Sequence, residues 1–374
     1  MKKLAAIIII LFCALNISLP VTAARDDEDN IFDEQLHISG ADTLYPSLPS
    51  QTREMLSEMG IDGISESVLQ DGCTASILEK TGALAAQKGS GIFASASVCL
   101  GILLIGSLLG EKRQAALGGA GTAVGTLCIC CAVITPVCSL ISSAGEVISA
   151  LTGFAALYVP VMAGLLIGSG NQNSASSYYT LLMGSSQVIT QLSAKFIIPL
   201  INVFTVLSVS ASLSGEVRLS PLCTSLYKFV KWVLTFVMSV FATVLTSQTL
   251  AASSMDRVSK RALSFTVSSF VPAVGGVLSE TLGAFTGSLE MLKSGAGVFI
   301  IIACGCIVLP VLAECFIWRA VLMLLAAAAE LFGTERMKTV FTMLSDTIGM
   351  LTAVLLCVVS VFIISTVIIL IAGK

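Results

Sequence analysis

Long apolar runs alternate with short polar stretches from residue 92 to residue 372, and each run holds 17 or more residues. About 20 apolar residues in a helix cross the ~30 Å hydrocarbon core of a bilayer. The runs are Ile92–Leu109, Ala115–Ile141, Leu151–Gly168, Tyr178–Ala194, Phe196–Leu213, Trp232–Ala251, Val298–Trp318 and Thr352–Ala372. The pattern predicts an all-α fold, a polytopic integral membrane helical bundle.

Three polar stretches interrupt the apolar pattern in different ways. Ser142–Ser149 holds one Glu and no Lys or Arg, which predicts a loop outside the cytoplasm. Ser169–Ser177 is uncharged, so residues 151–194 form either two spans or a re-entrant hairpin. Ala262–Gly295 is only half apolar and has the same two interpretations. Non-helical backbone at membrane depth persists only when it is buried in protein or lines a cavity, so we expect Pro/Gly-broken or re-entrant helices.

The first 23 residues have the pattern of a secretory signal peptide. Lys2 and Lys3 precede the apolar stretch Leu4–Leu19, and Ala23 occupies the −1 position of a cleavage site. An uncleaved signal anchor is the alternative interpretation. Both place the following residues outside the cytoplasm.

Charge is distributed unevenly along the chain. Charged residues make up 11% of it, against about 25% in soluble chains. Residues 24–90 carry thirteen acidic and four basic side chains, which predicts an acidic extracytoplasmic N-terminal segment of loosely ordered helices. Lys112 and Arg113 then fall in the cytoplasm, between two transmembrane helices in residues 91–141.

Four prolines recur in similar apolar settings at Pro160, Pro199, Pro272 and Pro310. The first two are 39 residues apart and the last two are 38 apart, with offsets of 112 and 111 residues between the pairs. Glycines follow the first member of each pair, at Gly164 and at Gly275 and Gly276. We interpret this as an internal duplication of residues 151–251 and 263–372. The prolines and glycines are candidate helix-break or pore-related residues, and packing kinks are the alternative.

Ionisable side chains inside apolar runs are candidates for function, since they are costly in a membrane. The candidates are Glu314, Arg319 and Lys195. The two basic side chains have an alternative role in which they extend to an interface. Glycine pairs four residues apart, such as Gly164 and Gly168, favour a tightly packed bundle or a homo-oligomer.

Soluble-type catalytic chemistry finds no support in the residues. The chain has one histidine, His37, and no nucleotide, protease or Ca²⁺ motif. Its twelve cysteines lie mostly in apolar runs without His or charge, which favours small apolar packing over metal binding. We therefore predict no catalytic residues, no metal, no cofactor, no enzyme activity and no nucleic-acid partner.

The membrane body resembles the stage III sporulation protein AE family. The similarity is most specific from Arg261 to Lys293, through the stretch Phe270-Val-Pro-Ala-Val-Gly-Gly276. It extends to Tyr158–Gly170, Phe196–Ser214 and Leu309–Ala329.

The resemblance implies a multi-pass protein of the mother-cell membrane around the forespore. It implies a non-enzymatic subunit of a channel or secretion-like complex that is required for forespore development. The implied partners are other membrane proteins of the same sporulation operon and a forespore membrane protein, within a lipid bilayer. A self-sufficient secondary transporter or permease of a small solute is the alternative.

Overall fold

The computed structural model describes residues 34–64, 89, 91–105, 107, 117–213, 220–270 and 275–372. The fold is 92% helical, and these ranges contain no strand. The signal peptide 1–23, with its cleavage position Ala23, lies outside the described residues. The prediction of an all-α polytopic bundle is confirmed.

The helices are numbered here in chain order. They are α1 Ser50–Glu58, α2 Gly91–Ile105, α3 Leu117–Gly168, α4 Gln172–Leu192, α5 Ile198–Leu213, α6 Ser220–Phe270, α7 Gly275–Leu331 and α8 Glu335–Ala372. A π-helical turn, Ser193–Ile197, joins α4 to α5 without a loop.

Within the described ranges, five stretches are helical, long and apolar enough to cross a membrane. They are Val124–Gly168, Gln172–Ala211, Pro221–Gln248, Leu289–Leu331 and Glu335–Val367. The last two are the most enclosed by other helices, since 78% and 83% of their apolar windows are buried, against 17% in Pro221–Gln248. Helices α7 and α8 therefore form the centre of the bundle, and α3 to α6 pack around them.

Glycines close both of the tight helical hairpins. After α3, Asn171 N–H donates to Leu166 O at 2.9 Å, and Gly170, with φ of 76°, donates to Ile167 O. After α7, Gly333 has φ of 67° and the same pair of bonds forms to the last turn. This is the Schellman arrangement, which needs a left-handed residue that glycine adopts without steric cost. The chain therefore reverses within three or four residues at both hairpins.

Helix α3 is longer than the apolar pattern predicts. The expected loop Ser142–Ser149 is wrong, because the helix runs unbroken from Leu117 to Gly168. Apolar side chains continue at helical spacing through this stretch, with Ala144 and Ile148 buried between Leu140 and Leu151. Packing of that face keeps the backbone helical while Ser142 and the other polar side chains face outward.

The described part of the acidic segment, 34–64, packs on α7. Its apolar side chains Leu44 and Leu56 have no exposed surface and belong to the same core as the membrane helices. The rings of Tyr45 and Phe299 lie 6.5 Å apart. Arg53 donates to the carbonyl oxygens of Pro46 and Leu48 and braces the turn before α1. These residues pack on α7, and the prediction of loosely ordered helices for residues 24–90 stays a prediction.

The two proposed repeat units differ in where their helices are interrupted by a turn. Pro160 and Pro199 are separated by the hairpin turn at Gly170, whereas α7 runs without a turn from Gly275 through Pro310. The duplication of 151–251 and 263–372, like the other domain boundaries, stays a prediction.

Close packing of α7 on α8 predicts a cost for a single methyl group at Gly297. A Cβ there would lie 2.6 to 2.9 Å from the side chain of Leu370, whereas a Cβ at Gly305 on the same helix meets no atom within 4 Å. We expect Gly297→Ala to destabilise the protein by ~1–3 kcal/mol and Gly305→Ala to be neutral or stabilising by up to ~1 kcal/mol. Melting temperatures of the two purified variants in one detergent test this. Equal melting temperatures would contradict the close packing.

Candidate functional site: polar groups in the helical bundle

Four helices bring polar side chains together inside the apolar core. Tyr158 of α3, Tyr178 of α4, Cys304 of α7 and Thr366 of α8 are at most 2% exposed. Both tyrosine hydroxyls face the Thr366 hydroxyl, and Cys304 is near enough to act electrostatically on both tyrosines. The cluster therefore lies where both helical hairpins of the bundle meet.

Packing of the apolar core does not require the two tyrosine hydroxyl groups of this cluster. Thr366 donates to the carbonyl oxygen of Phe362 in its own helix at 2.9 Å. Within the part of the chain that the structure describes, neither the Tyr158 nor the Tyr178 hydroxyl makes a hydrogen bond of ordinary geometry. A buried polar group without such a bond costs ~1–3 kcal/mol. Phenylalanine at either position would avoid that cost, which makes the cluster a candidate functional centre.

A charged pair links α7 to α8 nearer the Gly333 turn. Arg319 of α7 acts electrostatically on Asp346 of α8. Its guanidinium lies against Gly349, where a Cβ would be 3.0 Å from a terminal nitrogen. The glycine thus lets the planar guanidinium lie against the α8 backbone. Arg319 therefore offsets part of the cost of placing the Asp346 carboxylate in this partly buried site.

Two further charges lie on the outer surface of the bundle. Glu146 of α3 and Lys195 of the π-helical turn are both exposed, and both occur near the middle of candidate spans. Neighbouring residues are in contact, since a Cβ on Gly145 would be 3.4 Å from Ile198 Cδ1. Exposed polar side chains extend along both helices, including Ser142 and Ser149 on α3 and Gln187 and Gln191 on α4.

The structure places the predicted helix-break residues in different environments. Pro160 lies in α3, which continues through it, and both Pro160 and Gly164 are exposed. Pro310 is buried in the continuous helix α7. Pro199 is the second residue of α5, directly after the π-helical turn.

The remaining candidates of this class mark the start of α7. Pro272 lies outside the described residues, and Gly275 and Gly276 are the first two residues of that helix. Pro160, Pro199 and Pro310 lie in three different helices, α3, α5 and α7, and the role of these prolines in a pore stays a prediction.

The intramembrane charges also separate. Arg319 has a partner in Asp346, Glu314 is half-buried one turn earlier in α7, and Lys195 is exposed on another helix. Lys293 is 2% exposed near the beginning of the α7 span, close to Gly295, where Ile64 of the N-terminal segment packs.

Comparison with known proteins identifies the family. The family described as Stage III sporulation protein AE (spore_III_AE) matches residues 95–373. The chain belongs to this family. It is 23% identical over 238 residues to the Stage III sporulation protein AE of Bacillus subtilis (strain 168). That match covers 63% of this chain and 59% of the relative, so the chain spans less than two thirds of the relative's length. No solved structure matches the chain.

The family match covers the membrane body and leaves out the docked segment 34–64. It includes all five candidate spans and every polar group of the site. Family membership thus places a multi-span membrane protein among the sporulation proteins.

Sequence reasoning missed three parts of the site. The interaction of Asp346 with Arg319 depends on how α7 and α8 align, and the sequence alone does not show it. The Tyr158–Tyr178 cluster combines distant helices and leaves no local signal. Glu146 was assigned to a loop, although the spacing Thr135, Cys138, Ser142, Glu146, Ser149 has the period of one helical face. That spacing was the signal that could have placed Glu146 inside a helix.

The tyrosine cluster predicts an unusual tolerance to loss of a hydroxyl. We expect Tyr158→Phe and Tyr178→Phe each to leave the free energy of unfolding unchanged or to raise it by up to ~1–3 kcal/mol, because a buried hydroxyl without a hydrogen bond of ordinary geometry is removed. Tyr158→Ala, the control, should cost ~3–5 kcal/mol through the cavity it leaves. Denaturation of the purified variants in detergent measures this. A loss of more than ~2 kcal/mol in Tyr158→Phe would mean that the hydroxyl is bonded.

The charged pair predicts coupling between α7 and α8. Because Arg319 and Asp346 interact, we expect Arg319→Gln and Asp346→Asn to be non-additive by ~0.5–3 kcal/mol. The double variant should be less destabilised than the sum of the single variants. A double-mutant cycle of unfolding free energies measures the coupling, with Lys231→Gln, an exposed lysine of α6, as the uncoupled partner. If the two changes in unfolding free energy simply add, Arg319 and Asp346 are not coupled, and the pairing is refuted.

Proposed function

We propose that this protein is a non-enzymatic membrane subunit of a channel or secretion-like complex that links mother cell and forespore and is required for forespore development. The single observation that carries the proposal is the family match over residues 95–373. In this proposal the protein lies in the mother-cell membrane around the forespore. Its partners are other membrane proteins of the same operon and a forespore membrane protein.

The distribution of polar groups supports a subunit rather than a self-contained molecule. Arg319 of α7 and Asp346 of α8 interact electrostatically between the two central helices. Glu146 and Lys195 are instead exposed near the middle of candidate spans. A charged side chain facing acyl chains is unfavourable. Contact with another protein or with water would provide the polar partners that these two charges need.

The N-terminal segment has a defined place in the proposal. Residues 34–64 pack beside Phe299 and Gly295, at one end of the α7 span. We assign this end to the space between the two membranes, in line with the signal peptide predicted for residues 1–23. The exposed face of the segment, with Glu54 and Asp62 among its acidic residues, would then be available to partner proteins.

One observation favours the transporter alternative. The π-helical turn Ser193–Ile197 interrupts a candidate span and carries the exposed Lys195. Such turns occur frequently at functional sites, and irregular helices build substrate sites in transporters. A transporter would work without partners, which separates the two functions experimentally.

Purification from sporulating cells tests the proposal. We expect the tagged full-length protein to co-purify with the other membrane products of its operon, and replacement of its gene to arrest forespore development. Liposomes that contain the purified protein alone should show no solute uptake, because a channel subunit needs its partners. Mass spectrometry of the eluate, spore counts and uptake of labelled solutes are the measurements.

Two different results would contradict the proposal. Uptake of one solute by the protein alone would favour the transporter. A purified protein without co-purifying membrane proteins, from cells that still form spores, would refute the complex. A chain carrying Gln51→Glu, an exposed change on α1, controls for the handling of variants.

A further inference from the structure

The outward surface of the α3–α4 hairpin carries exposed polar and charged side chains that the proposed function does not explain. The two helices are antiparallel and joined at Gly170, and the Thr152 and Thr190 hydroxyl oxygens lie 2.7 Å apart between them. Glu146 follows Gly145, whose position contacts Ile198, and Lys195 precedes Ile198 by three residues. Glu146 and Lys195 therefore lie at about the same depth on neighbouring helical segments.

The exposed polar side chains of α3 occupy one angular sector. A helix turns by about 100° per residue, which fixes each position relative to Thr152. The exposed side chains at about 60–120° from Thr152 are Ser142, Glu146 and Ser149. Buried Ala144, Ile148 and Leu151 lie on the opposite side. The polar sector thus points away from the core and beside the contact with α4.

The exposed polar side chains of α4 occupy the corresponding sector. Those at about 60–100° from Thr190 are Thr180, Gln187 and Gln191. Viewed down the hairpin, successive residues turn counterclockwise in one helix and clockwise in the other, because the two helices are antiparallel. The contact at Thr152 and Thr190 points from each helix toward the other, so the two contact directions are also opposite. These two differences cancel, and both polar sectors face the same side of the hairpin. They form one polar surface with Glu146 and Lys195 near its middle.

Lipid is an unfavourable neighbour for this surface. Ionised side chains and unbonded amides find no partner among acyl chains. Its small side chains, Ser142 and Ser149 among them, allow another helix to approach closely. The carboxylate of Glu146 and the ammonium group of Lys195 lie at about the same depth. A surface with one charge of each sign at one depth is complementary to itself, which favours a second copy of the chain as the partner.

We propose that this surface binds the same surface of a second copy of the chain, about a two-fold axis parallel to the membrane normal. Such an axis preserves depth and places α3 of one copy opposite α4 of the other. Glu146 of each copy then faces Lys195 of its partner, which gives two charge pairs. The inference depends on the proposed function only in that α3 and α4 cross the bilayer, and it goes beyond it by assigning a self-association surface.

Charge reversal in separate copies tests the proposal. Glu146→Lys leaves two positive groups on the surface, and Lys195→Glu leaves two negative groups. Each variant should self-associate at least about tenfold more weakly than the wild type, because like charges face each other. A mixture of the two variants should associate again, since each surface then meets its complement. Lys231→Glu, an exposed lysine on another span, is the matched control and should self-associate as the wild type does.

The measurement is co-purification of two differently tagged full-length copies in lipid nanodiscs, with circular dichroism as a check of folding. Mixed association with weak self-association supports the proposal, and it also shows that both variants are folded. Three outcomes would overturn it: no wild-type association, unchanged self-association of both variants, or a mixture that stays apart while both variants are helical. The first two would favour a water-lined surface. Because no operon partner is present, these outcomes leave the complex assembly test above unaffected.

Discussion

The antiparallel packing of α7 against α8 is the interaction on which the rest of the structure depends. Helices α3 to α6 each contact one or both of these two, and the N-terminal segment packs on α7 as well. The contact is close because Gly297 faces Leu370 and Gly349 faces Arg319. In a bilayer, where water does not drive helices together, such close van der Waals contact supplies the attraction. The hairpin turn at Gly333 holds the two helices in this alignment.

Polar groups are divided between the centre and the periphery in a way that follows from this core. The interior contains Arg319, which interacts electrostatically with Asp346, and the tyrosine cluster beside Thr366. The peripheral helices α3 and α4 instead carry polar side chains outward, including the charges of Glu146 and Lys195. The interior arrangement favours a rigid pair of helices. The outer arrangement favours a molecule that completes its polar contacts through neighbours.

Sequence reasoning predicted the fold class because hydrophobic length is a local property. It predicted the membrane class and the family, and it identified Arg319, Glu314 and Lys195 as charges in spans, but it divided α3 into two helices that the fold joins. It placed a loop at Ser142–Ser149, since mean polarity there resembles a loop even though the helical period continues. The contacts between Arg319 and Gly349 and between Tyr158 and Thr366 depend on how distant helices align. No local pattern carries that alignment, so the polar centre emerged only from the folded chain.

The unequal lengths of α7 and α8 set a distance. Gly297 lies opposite Leu370, close to the end of α8 at Ala372. Residues 275–294 of α7 therefore continue past Ala372 by about 30 Å, at 1.5 Å per residue. Segment 34–64 lies at the base of this extension, where its Ile64 packs at Gly295. The residue count of this stretch fixes the distance between the first residue of α7 and the close contact with α8 at Gly297.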